Sequence, residues 1–384
     1  MKKRMLLMIL LVAVVSTFAF ANGAKESVVE QKEQTSLVID DISYDELVEK
    51  AKAEGKLVVY ASTDIHRKAC EAFAEKYGIE VEFTHLGDTA LISKVVGEAE
   101  ANVTTGADVI FSQDGASLQM QLIDSGYVYN WVSSRIAEVV DESNLNPLVH
   151  EFCTKAFIYN NETTGDQKVY YNVWQLTDPE YAGLFQFKDP TTETVGMNFL
   201  AMCVTDEYAD ELAKAYKEYY GKDIVLTTEN AGYEWIKGLY ENGMIMGKSD
   251  TKIAEAVGAK GQNQVPIGLF TFSKFFSAAE KNLALATAED MTPFGGFYYP
   301  LYSQITSYCQ HPYAAKLYIE FVMSEEGWAA WNGRVGHYSA NVNIHCAEKD
   351  FELSYWDKYL LKENAQLAAS TRASVEDFIN QIAY

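Results

Sequence analysis

Between residues 56 and 126, short apolar runs and amphipathic stretches alternate at close spacing, and this rhythm limits the possible folds more than any other feature of the chain. Leu57-Val58-Val59-Tyr60 is a continuous apolar run of the kind buried in parallel strands. Ala69, Phe73 and Tyr77 follow at helical spacing, and Gly78 ends that helix. Ile79, Val81 and Phe83 alternate as a second strand, and Leu91, Ile92, Val95, Val96 and Ala99 mark a second helix. Asp108-Val109-Ile110-Phe111 is a third strand, and Leu118, Leu122 and Ile123 a third helix closed by Gly126. Strand and helix alternating through short connections predict an α/β unit on a parallel sheet. Upstream, Ser43-Tyr44-Asp45-Glu46 is a capping box that opens a helix ending at Gly55.

The rhythm changes after residue 155. Ala156-Phe157-Ile158-Tyr159 reads as a strand, helices are expected around 209–220 and 233–240, and strands over 265–272 and 283–287. Asp178-Pro179 and Asp189-Pro190 punctuate turns. Tyr298–Thr306 is an aromatic-rich extended segment able to cross back to the first unit. Pro312 then starts a helix whose buried face is Leu317, Tyr318, Phe321 and Val322. The chain is longer than a usual single domain. The expected division is one lobe from 43–158 plus about 300–384 and a second from 159–299.

The N-terminus is read as an export signal. Lys2, Lys3 and Arg4 precede an apolar run from Met5 to Val15, and Ala19-Phe20-Ala21 is a small-x-small exit. Residues 1–21 are expected to be cleaved after about Ala21, with 22–42 a flexible leader and no cysteine nearby to carry a lipid anchor. That run is shorter than the roughly 20 residues a membrane span needs. The expected location is therefore periplasmic. The chain carries 31 Lys+Arg against 54 Asp+Glu, a formal charge of −23. Such an acidic surface argues against nucleic acid or anionic lipid as a partner.

Catalytic signatures are thin. The chain has no G-x-S-x-G, no P-loop and no H-E-x-x-H, and the expectation is of a protein that is not an enzyme and needs no cofactor. The six histidines are scattered and read as surface or capping residues. The five cysteines form no C-x-x-C and read as mostly buried free thiols. What stands out instead is the polar turn after each strand of the first unit. These are Ser62-Thr63-Asp64, Gly87-Asp88-Thr89 and Ser112-Gln113-Asp114-Gly115. In an open parallel sheet, ligands bind beyond the carboxyl ends of the strands, where helix N-termini favour anions and hydroxyl-rich groups. Ser62, Thr63, Asp64, Thr89, Ser112, Gln113 and Asp114 are accordingly the candidate binding residues. Phe297 and Tyr298 on the crossing segment are candidates as well, since an aromatic wall for a cleft and ordinary core packing both fit them.

Several stretches together resemble the ferric-iron-binding-like periplasmic proteins of ABC importers. They are Leu57-Val58-Val59-Tyr60-Ala61-Ser62, Ala107–Asp114, Gln175-Leu176-Thr177-Asp178-Pro179, Val265-Pro266-Ile267-Gly268-Leu269-Phe270 and Ala314–Phe321. The resemblance covers most of 55–345. It implies a type 2, Venus-flytrap fold with mixed sheets, two lobes joined by crossing hinge strands, and a ligand between them. It also implies a monomer that delivers its ligand to an ABC permease. Iron-binding members hold Fe(III) with a His, a Glu and a Tyr-Tyr pair. Here Leu91 stands where the Glu is expected, and Phe270-Thr271-Phe272 replaces the tyrosine pair. The pattern is closer to members that resemble hexose-phosphate receptors, through Gly268-Leu269-Phe270, Ser273-Lys274 and Pro293–Pro300. That likeness implies that Ser62, Thr63 and Thr89 donate to phosphate oxygens. It adds Glu229, Asn230, Asp250 and Lys274 from the second lobe. The expected ligand is a small anionic solute such as a phosphorylated sugar; ferric iron, or a role as a sensory receptor, are the alternatives.

Overall fold

The structure is a computed structural model that describes residues 37–278 and 280–383. The expected signal peptide and most of the leader lie outside them. The leader's last residues are held in place, because Ile39–Asp40 pairs in parallel with Val132–Ser133. Asp40 also accepts hydrogen bonds from Trp131 Nε1 and Lys316 Nζ, each at 2.8 Å.

The predicted alternation is realised with small shifts of boundary. Helix α1 (Tyr44–Glu54) starts on the Ser43 side chain and stops at Gly55, whose φ of +71° is the left-handed conformation glycine adopts without strain. Strand β1 (Lys56–Ala61), helix α2 (His66–Tyr77), strand β2 (Glu80–His85), helix α3 (Asp88–Glu100) and strand β3 (Val109–Ser112) follow in order. Strands β1, β2 and β3 are mutually parallel about a central β1.

Strand β4 (Val149–Tyr159) is 11 residues long and buried throughout. It begins seven residues before the expected start, because His150, Glu151, Thr154 and Lys155 mask the apolar pattern. Strand β5 (Phe185–Lys188) and helix α4 (Thr194–Cys203) come next, then helix α5 (Ala231–Glu241), strand β6 (Ile245–Gly247), helix α6 (Asp250–Gly258) and strand β7 (Ile267–Thr271). Strand β8 (Gly296–Thr306) is again 11 fully buried residues. Helix α7 (Pro312–Val322) carries Pro312 in its first turn, and helix α8 (Ala365–Ile382) closes the chain. The expected strand at 283–287 shortens to Ala286–Thr287.

One continuous sheet runs in the order β2-β1-β3-β8-β4-β7-β5-β6. Strands β8 and β4 form its centre and pair antiparallel, as does β8 with β3 and β4 with β7. Two apolar cores sit on either side of this central pair. The first gathers Leu57, Val59, Phe73, Phe111, Tyr318 and Trp331. The second gathers Phe187, Phe199, Trp235, Leu239 and Phe294. Because side chains alternate across a strand, the crossing strands serve both cores. Phe152, Ala156, Ile158 and Tyr298 face the first, and Cys153, Phe157, Tyr159, Phe297 and Leu301 the second.

Entry to β8 depends on two glycines. A Cβ on Gly295 would lie 1.8 Å from the Glu289 carbonyl oxygen, and one on Gly296 2.2 Å from that of Lys155. Helix α8 packs against α4 and also against the helical turn Gly115–Ser117 beside β3. Its Ala368, Val375 and Ile379 belong to the second core.

Phe297 stacks on Phe199 at 4.5 Å and 12° and is fully buried. Phe297→Ala should therefore destabilise the protein by about 3–5 kcal/mol, measured as a shift in the denaturant unfolding midpoint at unchanged slope.

Candidate functional site

The three polar turns of the first lobe converge. Ser62 lies just past β1 and accepts a hydrogen bond at its Oγ from the Gln113 backbone N–H at 3.2 Å. Gln113, just past β3, donates from Nε2 to Asp88 Oδ2 at 2.8 Å. Asp88 opens α3, whose N-cap Gly87 supplies no side-chain cap, leaving the first-turn N–H groups to other partners. Ser112 is buried and accepts from the Asp114 N–H, while Asp114 caps the next helical turn through the Ser117 N–H.

The opposite wall comes from the second lobe. Glu193 caps α4 by accepting from the Gly196 N–H at 2.6 Å. Thr89, Pro190–Thr194, Met197, Arg372, Glu376 and Asn380 line a cleft of about 310 Å³. Beside it, Lys155 of β4 reaches Glu193 at 3.1 Å and Asp250 at 3.6 Å, and Lys188 reaches Glu193 at 3.6 Å. Thr271 Oγ1 donates to Asp250 Oδ2 at 2.5 Å. Arg372 of α8 joins the two walls, with Nη1 2.9 Å from Asp114 Oδ1 and 2.7 Å from Asn198 Oδ1.

These charges hold one another. Burial works against the Lys155 ammonium, yet Asp250 and Glu193 outweigh it and raise its pKa. Burial likewise opposes ionised Asp250, and Lys155 and Thr271 reverse the balance and lower its pKa. Among the described residues Asp88 forms no ion pair with a lysine or arginine. Burial pushes its carboxyl up to about 6 despite the Gln113 hydrogen bond, with the charges of Asp114 and Glu193 adding to the rise.

Several polar atoms at this site are sealed from solvent without any hydrogen-bond partner: Thr63 Oγ1, Asp88 Oδ1, Asp114 Oδ2, Thr194 Oγ1 and Asp250 Oδ1. Each of these atoms lacks a partner among the described residues and is left to water or a bound solute.

The other sequence candidates lie elsewhere. Asp64 is exposed in the turn before α2 and pairs with Arg67 in the first turn of that helix at 2.8 Å. Glu229 is exposed, and Asn230 is the N-cap of α5, accepting from Gly232 and Tyr233 N–H groups. Phe297 and Tyr298 are core residues, the second donating its hydroxyl to Asp357 and lining a separate pocket with Phe152 and Tyr338, so neither joins this cleft. Lys274 does approach, since its charge helps hold the Asp250 carboxyl down. Lys155, Glu193, Thr194 and Arg372 were missed. Lys155 left a signal, as a lysine inside an otherwise apolar strand must have a buried partner. Arg372 left none, because it sits on an ordinary amphipathic helix.

Among the described residues, the positions where the resemblance expects ferric ligands do not bring such groups to the cleft. Leu91 is fully buried, Phe270 and Phe272 are core residues, and His66 packs on Phe111 inside the first lobe. His66 and His150 are both wholly buried, against the expectation of surface or capping roles. All five cysteines are free thiols, three of them buried.

The sequence profile of the bacterial extracellular solute-binding proteins matches residues 61–327. The chain belongs to that family. It is thus a solute-binding component of an ABC importer, a type of protein that captures a small ligand and meets a membrane permease. Comparison with curated proteins gives no significant sequence match. Among solved structures, the fold is similar to iron-bound HitA from Pseudomonas aeruginosa, with a TM-score of 0.67 at 17% identity over 86% of this chain and 99% of that one. The ferric binding protein from Campylobacter jejuni gives 0.65 at 16% identity over 85% and 99%. AfuA from Actinobacillus pleuropneumoniae, with exogenous fructose-6-phosphate bound, gives 0.62 at 19% identity over 85% and 98%. The family fold is thereby the two-lobed binding-protein fold, with β4 and β8 as its crossing strands. Among the described residues no helix is long and apolar enough to cross a membrane.

Asp88 predicts a pH dependence of stability. Its carboxyl stays protonated in the folded state up to about 6, whereas the ordinary value is 3.8. Raising pH from 4 to 7 therefore costs the folded state through this group. Asp88→Asn should stabilise the solute-free protein at pH 7.5, by on the order of 1–3 kcal/mol, and change little at pH 4. Thermal unfolding at the two pH values measures the difference.

Proposed function

We propose that the protein captures a small hydroxylated organic anion, a phosphorylated sugar or similar organic phosphate, and delivers it to an ABC permease as a monomer in the periplasm. The observation that carries this reading is the set of orphaned polar atoms where the two walls meet. Thr63 Oγ1 and Thr194 Oγ1 can donate to a phosphate or a sugar oxygen, and Asp88 Oδ1 and Asp114 Oδ2 can each accept from a sugar hydroxyl. The uncapped start of α3 offers N–H groups and the positive end of a 13-residue helix, which favour an anionic group. Lys188 and Lys274 stand on the second-lobe side of the same charge cluster. A bare hard cation is poorly served here, because the positions expected to supply its phenolate and glutamate ligands carry phenylalanine and leucine.

On this reading the two lobes close about the crossing strands, and the ligand replaces water against the orphaned groups. Calorimetric titration with fructose 6-phosphate, glucose 6-phosphate, the free sugars and ferric citrate tests it. Binding of a phosphorylated compound is expected, with the free sugar at least about tenfold weaker. Thr194→Val should weaken the phosphorylated ligand by about tenfold, the value of roughly one charge-assisted hydrogen bond. Silence with every organic phosphate, together with tight ferric uptake and a visible charge-transfer band, would overturn the proposal.

A further inference from the structure

Strand β4 carries a second polar cluster, separate from the cleft. The pairing of β8 with β4 shifts register between Leu301 and Tyr302, so that Leu301 faces Glu151 and Tyr302 faces Val149. His150 is thus an extra residue, a bulge of the kind that re-aims side chains. Consecutive strand residues normally point to opposite faces, yet here His150 Nε2 and Glu151 Oε2 are 3.6 Å apart. His66, at the start of α2, brings its ring to 5.2 Å from that of His150.

The ligand-capable atoms of His66, His150 and Glu151 all lie within 4.8 Å of one another. All three side chains are 0% exposed. Even so, His66 Nε2, Glu151 Oε2 and the ring nitrogens of His150 are sealed from solvent, and apart from a backbone contact of His150 with Leu301 none has a hydrogen-bond partner among the described residues. Unsatisfied atoms gathered in one sealed spot are costly, since a buried orphan loses about 1–3 kcal/mol and a charged one more. The surroundings fit lone-pair donation. His66 Nδ1 lies 3.3 Å from the Tyr318 hydroxyl, which fixes the ring and leaves Nε2 facing inward. Glu151 Oε1 is held by His337 Nδ1 at 2.5 Å and by Cys153 Sγ at 3.3 Å, leaving Oε2 facing the imidazoles.

We propose that His66, His150 and Glu151 form a buried site for a divalent transition-metal cation, with zinc(II) the best fit. Two imidazoles and one carboxylate are a zinc donor set, and a hard trivalent ion would select oxygen ligands instead. His337 and Cys153 are the outer partners that orient the carboxylate. Since His66 stands two residues after the Ser62-Thr63-Asp64 turn, the cation ties the first ligand-facing turn to the crossing strand.

The test uses the full exported chain. It is unfolded in denaturant with chelator, refolded with either zinc chloride or EDTA, desalted, and assayed for metal by mass spectrometry. About one zinc per chain is expected after refolding with zinc, with a higher Tm than the EDTA sample. Refolding with cobalt(II) should give the visible bands of a low-coordinate nitrogen and oxygen site. His66→Gln combined with His150→Gln should lower retained zinc tenfold or more. His337→Gln should keep the stoichiometry but weaken zinc by about 10–100-fold. Two results overturn the proposal: no retained zinc with equal Tm in both buffers, which leaves water bridging the cluster, or equal zinc retention in the double variant. If the double variant fails to fold, the wild-type stoichiometry and cobalt spectrum decide.

Discussion

Everything in this protein hangs on the antiparallel pairing of β4 with β8. Each is an 11-residue strand with no exposed position, and each sends alternate side chains into two different cores. A strand with one buried face can read polar every second residue, but a strand with two buried faces cannot. The pair is therefore both the joint between the lobes and the place where any polar residue must be satisfied internally. That constraint explains the two glycines at the entry to β8, where any side chain would collide with neighbouring backbone.

It also explains the location of the chemistry. Lys155 is 1% exposed in the middle of β4, and its ammonium is tolerable only because Glu193 and Asp250 of the second lobe stand against it. Removing one partner from such a buried pair costs about 3–5 kcal/mol, because the other charge is left uncompensated. The same strand carries Glu151, whose carboxylate burial opposes but the His337 hydrogen bond keeps ionised, lowering its pKa. Buried charge is weak evidence of stability and better evidence of a geometry being held. On β4, the held geometry is the seam between the lobes.

Much of the first lobe was legible in the sequence. The parallel strands, the helices between them and the stops at Gly55 and Gly78 follow from periodicity and from the left-handed conformation that favours glycine. The convergence of the Ser62, Asp88 and Gln113 turns also follows, since parallel neighbours end at one edge of a sheet. The start of β4 was hidden, because His150, Glu151, Thr154 and Lys155 read as loop until their partners are seen. Phe297 and Tyr298 were ambiguous for the opposite reason. An aromatic run has the same composition whether it packs a core or lines a cleft, and only the Phe199 stack and the Asp357 contact decide it.

By itself, the sequence determined most of the strands and helices of the first lobe and which of their strand ends meet, for these depend on local periodicity and residue chemistry. Only the tertiary structure decided which distant groups face one another. Arg372 reaches Asp114 across 258 positions, and His66 lies beside His150 through a bulge that no pattern announces. The physical reason is that a long-range contact is fixed by the register of the crossing strands, a property of the folded pair and of neither segment alone.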